Sequence, residues 1–465
     1  MVDPRSTNSG GEWMTGKLVR GIALAVALST AALLPAAAEA DTLFGAMEKA
    51  YTTNPTLNGA RAGQRATDEQ VPQALSGWRP TVTLNGQVGH TTTQQNITVM
   101  QDSAQLSITL QQPLFNGFKT VEGTKAAEAR VEAGRQNLLQ TEQSVLFNVV
   151  QAYMNVYADR QLVGLQRQNV GVLKAQLRAA NERFNVGEIT RTDVSQARAS
   201  LAQAQANLSN AEGKLAGDVA KYLQIVGNEP GKLSYPKIAR LPKSLKNALA
   251  AAGETNPLIL ANAFVEVAAG HDIEVARGNL LPNAYLQAQG FTSRNLQNSV
   301  KAQQGFSVTA NLSIPLYEAG QVYSSIRRAK QLASQQRIAV IEVARQVRQA
   351  VAASWSAYVA LGDIITAAKS QVSASQLALD GVQQEYQAGT RTTLDVLNAQ
   401  AAVVSAKTTL VTAERDRVVA AYQLMGSIGQ LTARDMGLNV TIYDPAENYN
   451  RVRNKWIGTG VETIE

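Results

Sequence analysis

Slid along itself by 202 residues, the sequence comes back into register with itself. Asn54-Pro55 falls on Asn256-Pro257, Pro80 on Pro282, Leu84 on Leu286, and Pro113-Leu114-Phe115 on Pro315-Leu316-Tyr317. Further on, Gly187 falls on Gly389, Asp193-Val194 on Asp395-Val396, and Gly227 on Gly429. These landmarks are mostly Pro, Gly and Asp, the residues that punctuate a backbone, and they recur at one offset without a gap. A period this long excludes a solenoid, whose repeats run to about 20–50 residues. The chain is therefore two large copies of one unit, in pseudo-twofold relation. The first copy covers residues 41–227 and the second 244–429. A linker at 228–243, rich in Gly, Pro and Lys, joins them, and a non-repeating tail follows at 430–465.

Residues 1–40 read as a signal peptide and leader. Lys17 and Arg20 precede an apolar run from Gly21 to Leu34, and Ala38-Glu39-Ala40 supplies a small-x-small cleavage site before Asp41. Met14 is an alternative start, and a signal anchor is an alternative reading of the run. After Asp41 no apolar run is expected to approach spanning length, so membrane contact would run through β-strands or the surface. The absence of cysteine excludes disulfides and a lipid-modified cysteine. A net charge of +7 comes from basic residues interleaved with acidic ones, the pattern of a solvated mixed-charge surface. A nucleic-acid partner needs clustered Lys/Arg with aromatic platforms. Only Arg451, Arg453, Lys455 and Trp456 come near that, and they read as a flexible end.

Each unit should begin with a helix, from Leu43 to about Leu75 in the first copy, kinked at Asn54-Pro55 because proline disfavours helix in the residue before it. A breaker at Trp78-Arg79-Pro80 then changes the period. Val82, Leu84 and Val88 alternate with polar residues over Thr81 to His90. Alternation resumes at Leu106, Ile108 and Leu110 after a polar stretch, Thr91 to Ser103, expected to be a loop. In the second copy Phe306, Val308, Ala310, Leu312 and Ile314 alternate, partnered by about Asn283 to Ser293. Ten alternating residues is the length of a transmembrane β-strand, and Phe115, Phe118, Tyr285, Phe291, Phe306 and Tyr317 fall where interfacial girdles would lie. A half-buried sheet in a soluble domain has the same pattern.

Proline-free stretches from about Phe118 to Val186 and Gly320 to Ala388 predict helices roughly 100 Å long. A seven-residue stripe runs through Val149, Val156, Val163, Val170, Leu177 and Phe184, and again through Val351, Tyr358, Ile365, Val372, Leu379 and Tyr386. That period means coiled-coil packing. Gly187 and Gly389 stop these helices. Thr190 with Asp193, and Thr392 with Asp395, form capping boxes for shorter returning helices that end near Val226 and Ile428. Four strands leave two open edges, which hydrocarbon does not tolerate, so a membrane barrel must close through several chains.

Arg183-Phe184-Asn185-Val186-Gly187 with Thr192-Asp193-Val194, and Glu385 to Thr392 with Leu394-Asp395-Val396-Leu397-Asn398-Ala399-Gln400, resemble the turns of the TolC family of outer-membrane factors. The Asn-Pro pairs and the Pro-Leu-aromatic triplets agree in order and spacing over the whole mature chain. The resemblance implies a mixed α and β membrane protein in which each copy gives two transmembrane strands and long coiled-coil helices. It implies a homotrimer, with a β-barrel among outer-membrane lipids and an α-barrel through the periplasm, belted at an equatorial region by the linker and tail. Such a duct is passive. A periplasmic adaptor and an inner-membrane transporter open it for efflux or type I secretion.

The resemblance also implies a periplasmic gate. Asp395 matches an acidic ring, Tyr386 and Arg391 match latch residues, and Thr192 and Asp193 match their partners. Asn398 stands where some members carry a second acidic ring. For Asp193 and Asp395 helix capping is the plainer reading, and for Tyr386 a place in the apolar stripe. His90 and His271 read as lone surface histidines without metal-ligand spacing. No P-loop or nucleophile elbow is present, so neither enzyme activity nor a cofactor or metal is expected. The rival hypothesis is a periplasmic coiled-coil scaffold without channel activity.

Overall fold

The computed structural model describes residues 41–94, 98–238, 241–295 and 303–461. The expected leader at 1–40 lies outside them. In the first unit the order is α1 (Leu43–Thr53), α2 (Pro55–Asp68), α3 (Gln70–Leu75), β1 (Thr81–Gln94), β2 (Thr98–Phe115), α4 (Lys119–Asn185) and α5 (Arg191–Val226). The second unit gives α6 (Leu245–Thr255), α7 (Pro257–Arg277), β3 (Asn283–Asn295), β4 (Gln303–Ser313), α8 (Gln321–Gln387) and α9 (Thr393–Ile428), and the tail adds α10 (Pro445–Val452).

The opening helix is not kinked but cut. Asn54 adopts an extended backbone, and its Oδ1 accepts from the N–H groups of Thr56 and Leu57 at 2.9 and 3.4 Å. Pro55 fits the first helical position because an N–H there has no helical partner to lose. The Nδ2 of the same Asn54 donates to the Ile225 carbonyl at the end of α5, 2.9 Å away. Asn256 repeats both contacts, capping Leu258 and Ile259 and donating to the Ser427 carbonyl at 2.8 Å. Each unit is thus tied head to tail by its Asn-Pro pair.

The strands form one antiparallel sheet in the order β1-β2-β3-β4. Leu84 faces Ile108, Ile108 faces Gly290, and Gly290 faces Phe306. The next row holds Val82, Leu110, Ala288 and Val308. Side chains alternate between faces, so these residues share one face. The other face carries Thr83, Thr109, Gln289 and Ser307, then Gln87, Gln105, Ser293 and Gln303. Among the described residues nothing covers the apolar face: Leu84 is 67% exposed, Val88 80% and Phe306 76%. A water-soluble sheet of this kind packs that face on a core. Among the described residues, β1 and β4 each leave one edge unpaired.

Two expectations about the strands fail. The polar stretch from Thr91 to Ser103 is mostly strand, with Thr91 opposite Gln101 and Thr93 opposite Val99, so β1 reaches 14 residues and β2 18. Polar residues on both faces suit a hairpin that projects beyond hydrocarbon. Tyr285 and Phe291 alternate with Leu286 and Gly290 and therefore lie on the polar face, away from a lipid girdle. Phe291 faces Gly305, where a Cβ would meet its ring at 2.5 Å.

Helices α4 and α8 have 67 residues each, about 100 Å of helix. The seven-residue stripe is buried at Val149, Val156, Val163 and Val170, and at Val351, Ile365 and Leu379. It opens at the tip, where Phe184 is 41% exposed. α8 also corrects the expectation that no apolar run approaches spanning length. It contains an 18-residue window of mean hydropathy 1.3, only 11% buried within the chain. The main core joins Leu43 and Met47 of α1 to Leu146 and Tyr153 of α4, Tyr422 of α9 and Leu431 of the tail. The Tyr153 hydroxyl sits 2.7 Å from the carbonyls of Asp41 and Ser234, fastening the start of the first unit and the linker to α4.

The tail is docked, not a loose end. Asn448 donates to Asp68 at 2.8 Å, and Arg453 pairs with Glu128 at 2.7 Å. The histidines are not lone either. His90 Nδ1 lies 2.5 Å from Asp102 across the β1–β2 pair, and His271 Nδ1 lies 2.7 Å from Glu122, linking α7 to α4. Sequence distance hides both pairs, because only the fold brings the carboxylates close.

Candidate functional site

The two helical turns are built alike. Gly187 and Gly389 adopt left-handed φ values of 81° and 83°, which a side chain would disfavour. Their N–H groups close back on Phe184 and Tyr386, while Glu188 and Thr390 donate to the carbonyls of Arg183 and Glu385. A threonine then caps the returning helix. Asp193 Oδ2 accepts from the Thr190 N–H at 2.9 Å and the Thr190 hydroxyl at 2.7 Å. Asp395 Oδ2 accepts from the Thr392 N–H at 2.9 Å and the Thr392 hydroxyl at 2.8 Å. The Thr190 hydroxyl, then the Thr190 backbone, holds the Asp193 carboxyl below its ordinary range. For Asp395 the Thr392 backbone N–H comes first, then the hydroxyl, with Arg391 adding to both. Hydrogen bonds to the charged form favour ionisation, so both remain anionic at neutral pH.

The turns differ in their charges. In the first, Arg183 lies 3.6 Å from Glu188. In the second the order is reversed, with Arg391 Nε donating to Glu385 at 2.7 Å. Glu385 and Asp395 together favour the charged form of Arg391, Glu385 more strongly. Tyr386 joins the copies. Its ring centroid lies 4.6 Å from the Arg183 guanidinium of α4, and its hydroxyl lies 3.3 Å from Thr393.

Within one chain, then, neither Tyr386 nor Arg391 bonds to Thr192 or Asp193, the partners that the sequence suggested. Thr192 and Asn398 are exposed. Asn398 follows Asp395 by three residues, on the same side of α9. Arg183 and Glu385, part of the turn motifs, and Thr393 are not among the gate residues that the sequence suggests. A signal was present for two of them: Arg183 and Glu385 occupy equivalent positions in the copies with opposite charge.

An uncovered apolar strand face, open sheet edges and helical hairpins about 100 Å long, all duplicated, define the wall of an outer-membrane channel. The chain belongs to the outer membrane efflux protein family, which matches it over residues 46–228 and 248–430. It is 41% identical over 442 residues to the outer membrane efflux protein BepC of Brucella suis biovar 1 (strain 1330), covering 94% of this chain and 96% of that protein. It is 27% identical over 433 residues to the outer membrane protein TolC of Salmonella enteritidis, covering 88% and 86%. The solved structure of CusC shares the fold at a TM-score of 0.74 and 18% identity, over 83% of this chain and 92% of that one. The protein is an outer-membrane exit duct for efflux or secretion that extends into the periplasm. Its relatives are channels rather than enzymes.

Proposed function

We propose that three copies of this chain close a twelve-stranded barrel, and that the two helical turns form its periplasmic gate. The observation that carries the reading is the four-stranded sheet, with one face apolar and uncovered and with β1 and β4 each unpaired along one edge. An open edge in hydrocarbon leaves backbone groups without partners, so β4 of one chain pairs with β1 of the next. The poorly buried apolar window of α8 needs the same neighbour.

At the far end Asp395 contributes one carboxylate per chain to a ring that narrows the entrance. The Tyr386–Arg183 contact and the Arg391–Glu385 pair hold the second hairpin in place. Thr192 and Asp193, which bond to neither residue within a chain, remain available to Arg391 of a neighbouring chain. An inner-membrane transporter and its periplasmic adaptor supply the energy and displace these contacts. With Asn398 in place of a further carboxylate, the ring holds divalent cations weakly.

Low-resolution imaging of detergent-purified particles tests the assembly directly. Threefold particles with a tapered α-helical shaft of about 100 Å are expected. Rod-like monomers or dimers, stable in water without detergent, would instead support a periplasmic scaffold and overturn the reading.

A further inference from the structure

The tail carries a feature that the duct does not use. After α10 the chain runs up to the start of β1. There Arg79, two residues before the first residue of that strand, donates to the Lys455 carbonyl at 2.9 Å and places its guanidinium 4.9 Å from the centre of the Trp456 ring. Gln112 of β2 donates to the Trp78 carbonyl at 2.9 Å, so Trp78 and Arg79 are fixed to the sheet itself. Val82 and Leu110 begin the apolar band only three residues further on, about 10 Å of strand. On the barrel proposed above, Arg79 lies at the level where β1 and β2 leave the lipid on the periplasmic side.

At that level the tail forms a small closed loop. Lys455 Nζ donates to the Gly460 carbonyl at 2.8 Å, and Gly458 turns the chain with φ at 107°. The loop turns its apolar side chains outward: Trp456 is 64% exposed, Ile457 90% and Val461 82%. A loop closed by its own Lys455–Gly460 hydrogen bond, tied to the sheet by Arg79, yet presenting Trp and Ile to its surroundings, is built to meet something.

We infer that this segment, from Lys455 to Val461, docks on the phospholipid leaflet that faces the periplasm and extends the interfacial belt of the barrel. Tryptophan favours the boundary between hydrocarbon and water, since its ring is apolar and its N–H is polar. Isoleucine enters the acyl region. Arg79, held against the Trp456 ring, and Lys455, bonded to the Gly460 carbonyl, keep two positive charges at the loop, and these attract anionic headgroups. The exposed Phe118 and Tyr317, which follow β2 and β4, stand at the same end of the strands. The tail thus adds lipid contact just where the α-helical shaft begins.

The chain has no cysteine, so a single introduced thiol reports cleanly. Ile457→Cys is spin-labelled in the full-length protein, in nanodiscs of phosphatidylethanolamine and phosphatidylglycerol. Val88→Cys on the apolar face and Glu188→Cys at the periplasmic turn serve as lipid and water references. At position 457, collisions with oxygen should exceed those with a water-soluble nickel chelate several-fold, a ratio lying between the two references. Arg79→Gln in the same background should shift that ratio toward the Glu188 value. A ratio equal to that of Glu188 would place the loop in water. Shielding from both reagents would place it against protein, such as a second copy of this chain. Either result overturns the proposal.

Discussion

Helices α4 and α8 have the same length, 67 residues, and hold equivalent places in the two copies, yet their surroundings differ sharply. α4 is sheathed by α1, α2, α3, α5, α7 and α9, while α8 packs chiefly against α6, α7 and α9. α4 buries long runs of its surface, including Leu146, Val149, Val150, Tyr153 and Met154, each at 0% exposure. α8 buries eight residues in all and leaves Ile338 62% and Leu377 75% exposed. Duplication supplied two equal frames and divergence divided their tasks. The first copy holds the protomer together. The second leaves apolar surface uncovered, as the proposed contact between protomers requires.

The difference can be broken most directly in the core. Leu146→Ala should lower stability by about 2–5 kcal/mol, because it empties a fully packed site. Ile338→Ala should cost the isolated protomer under ~0.5 kcal/mol. Unfolding midpoints measure both, and similar losses would remove the contrast. Ile338→Glu should leave the protomer folded but weaken assembly by about tenfold or more, equivalent to ~1.4 kcal/mol. Native mass spectrometry reads the shift toward single chains, and unchanged assembly would mean that this face of α8 meets water.

The turns offer a finer comparison. The first-copy equivalents of Tyr386 and Arg391 are Phe184 and Ile189. Tyr386→Phe with Arg391→Ile therefore gives the second turn the first copy's residues at both latch positions. The doubly substituted channel should admit large antibiotics more readily, and outer-membrane permeability assays that detect no difference would deny these residues a latch role. Cation–π contacts at exposed sites contribute only ~0.5–1 kcal/mol, so Arg183→Ala alone should have a smaller effect. The smallest effect is expected at the carboxylates. Asp395→Ala should raise conductance or reduce divalent-cation block in planar bilayers more than Asp193→Ala does. Both variants lose the same helix cap, so equal changes would leave capping as the whole role of Asp395.

Much of this plan could be read from residue order. Period seven marked the long helices, period two the strands, and Thr-x-x-Asp both caps. What escaped depends on distances that spacing does not encode. Thr91 to Ser103 has few apolar residues, so a polar strand pair reads as loop. Tyr285 and Phe291 read as girdle residues from sequence because an aromatic residue near a strand end does not reveal its face until the register is known. The partners of His90, His271 and Trp456 lie 12, 149 and 377 residues away, brought close only by pairing across elements. Tyr386 fits both the apolar stripe and the latch by sequence. Its ring meets Arg183 of the other copy, a contact that crosses the duplication.

The clasps made by Asn54 and Asn256 bear on how such a chain arose. Each asparagine reaches a carbonyl 171 residues away, and both span the same interval. The path between goes out to the membrane, back past its origin to the far turn, and home again. A unit that finishes where it started can be copied in tandem with only a short connector. The second copy then begins at the same height as the first, and its strands and turns meet their counterparts at matching levels. A closed circuit of this kind turns one gene duplication into a wider wall rather than a longer rod.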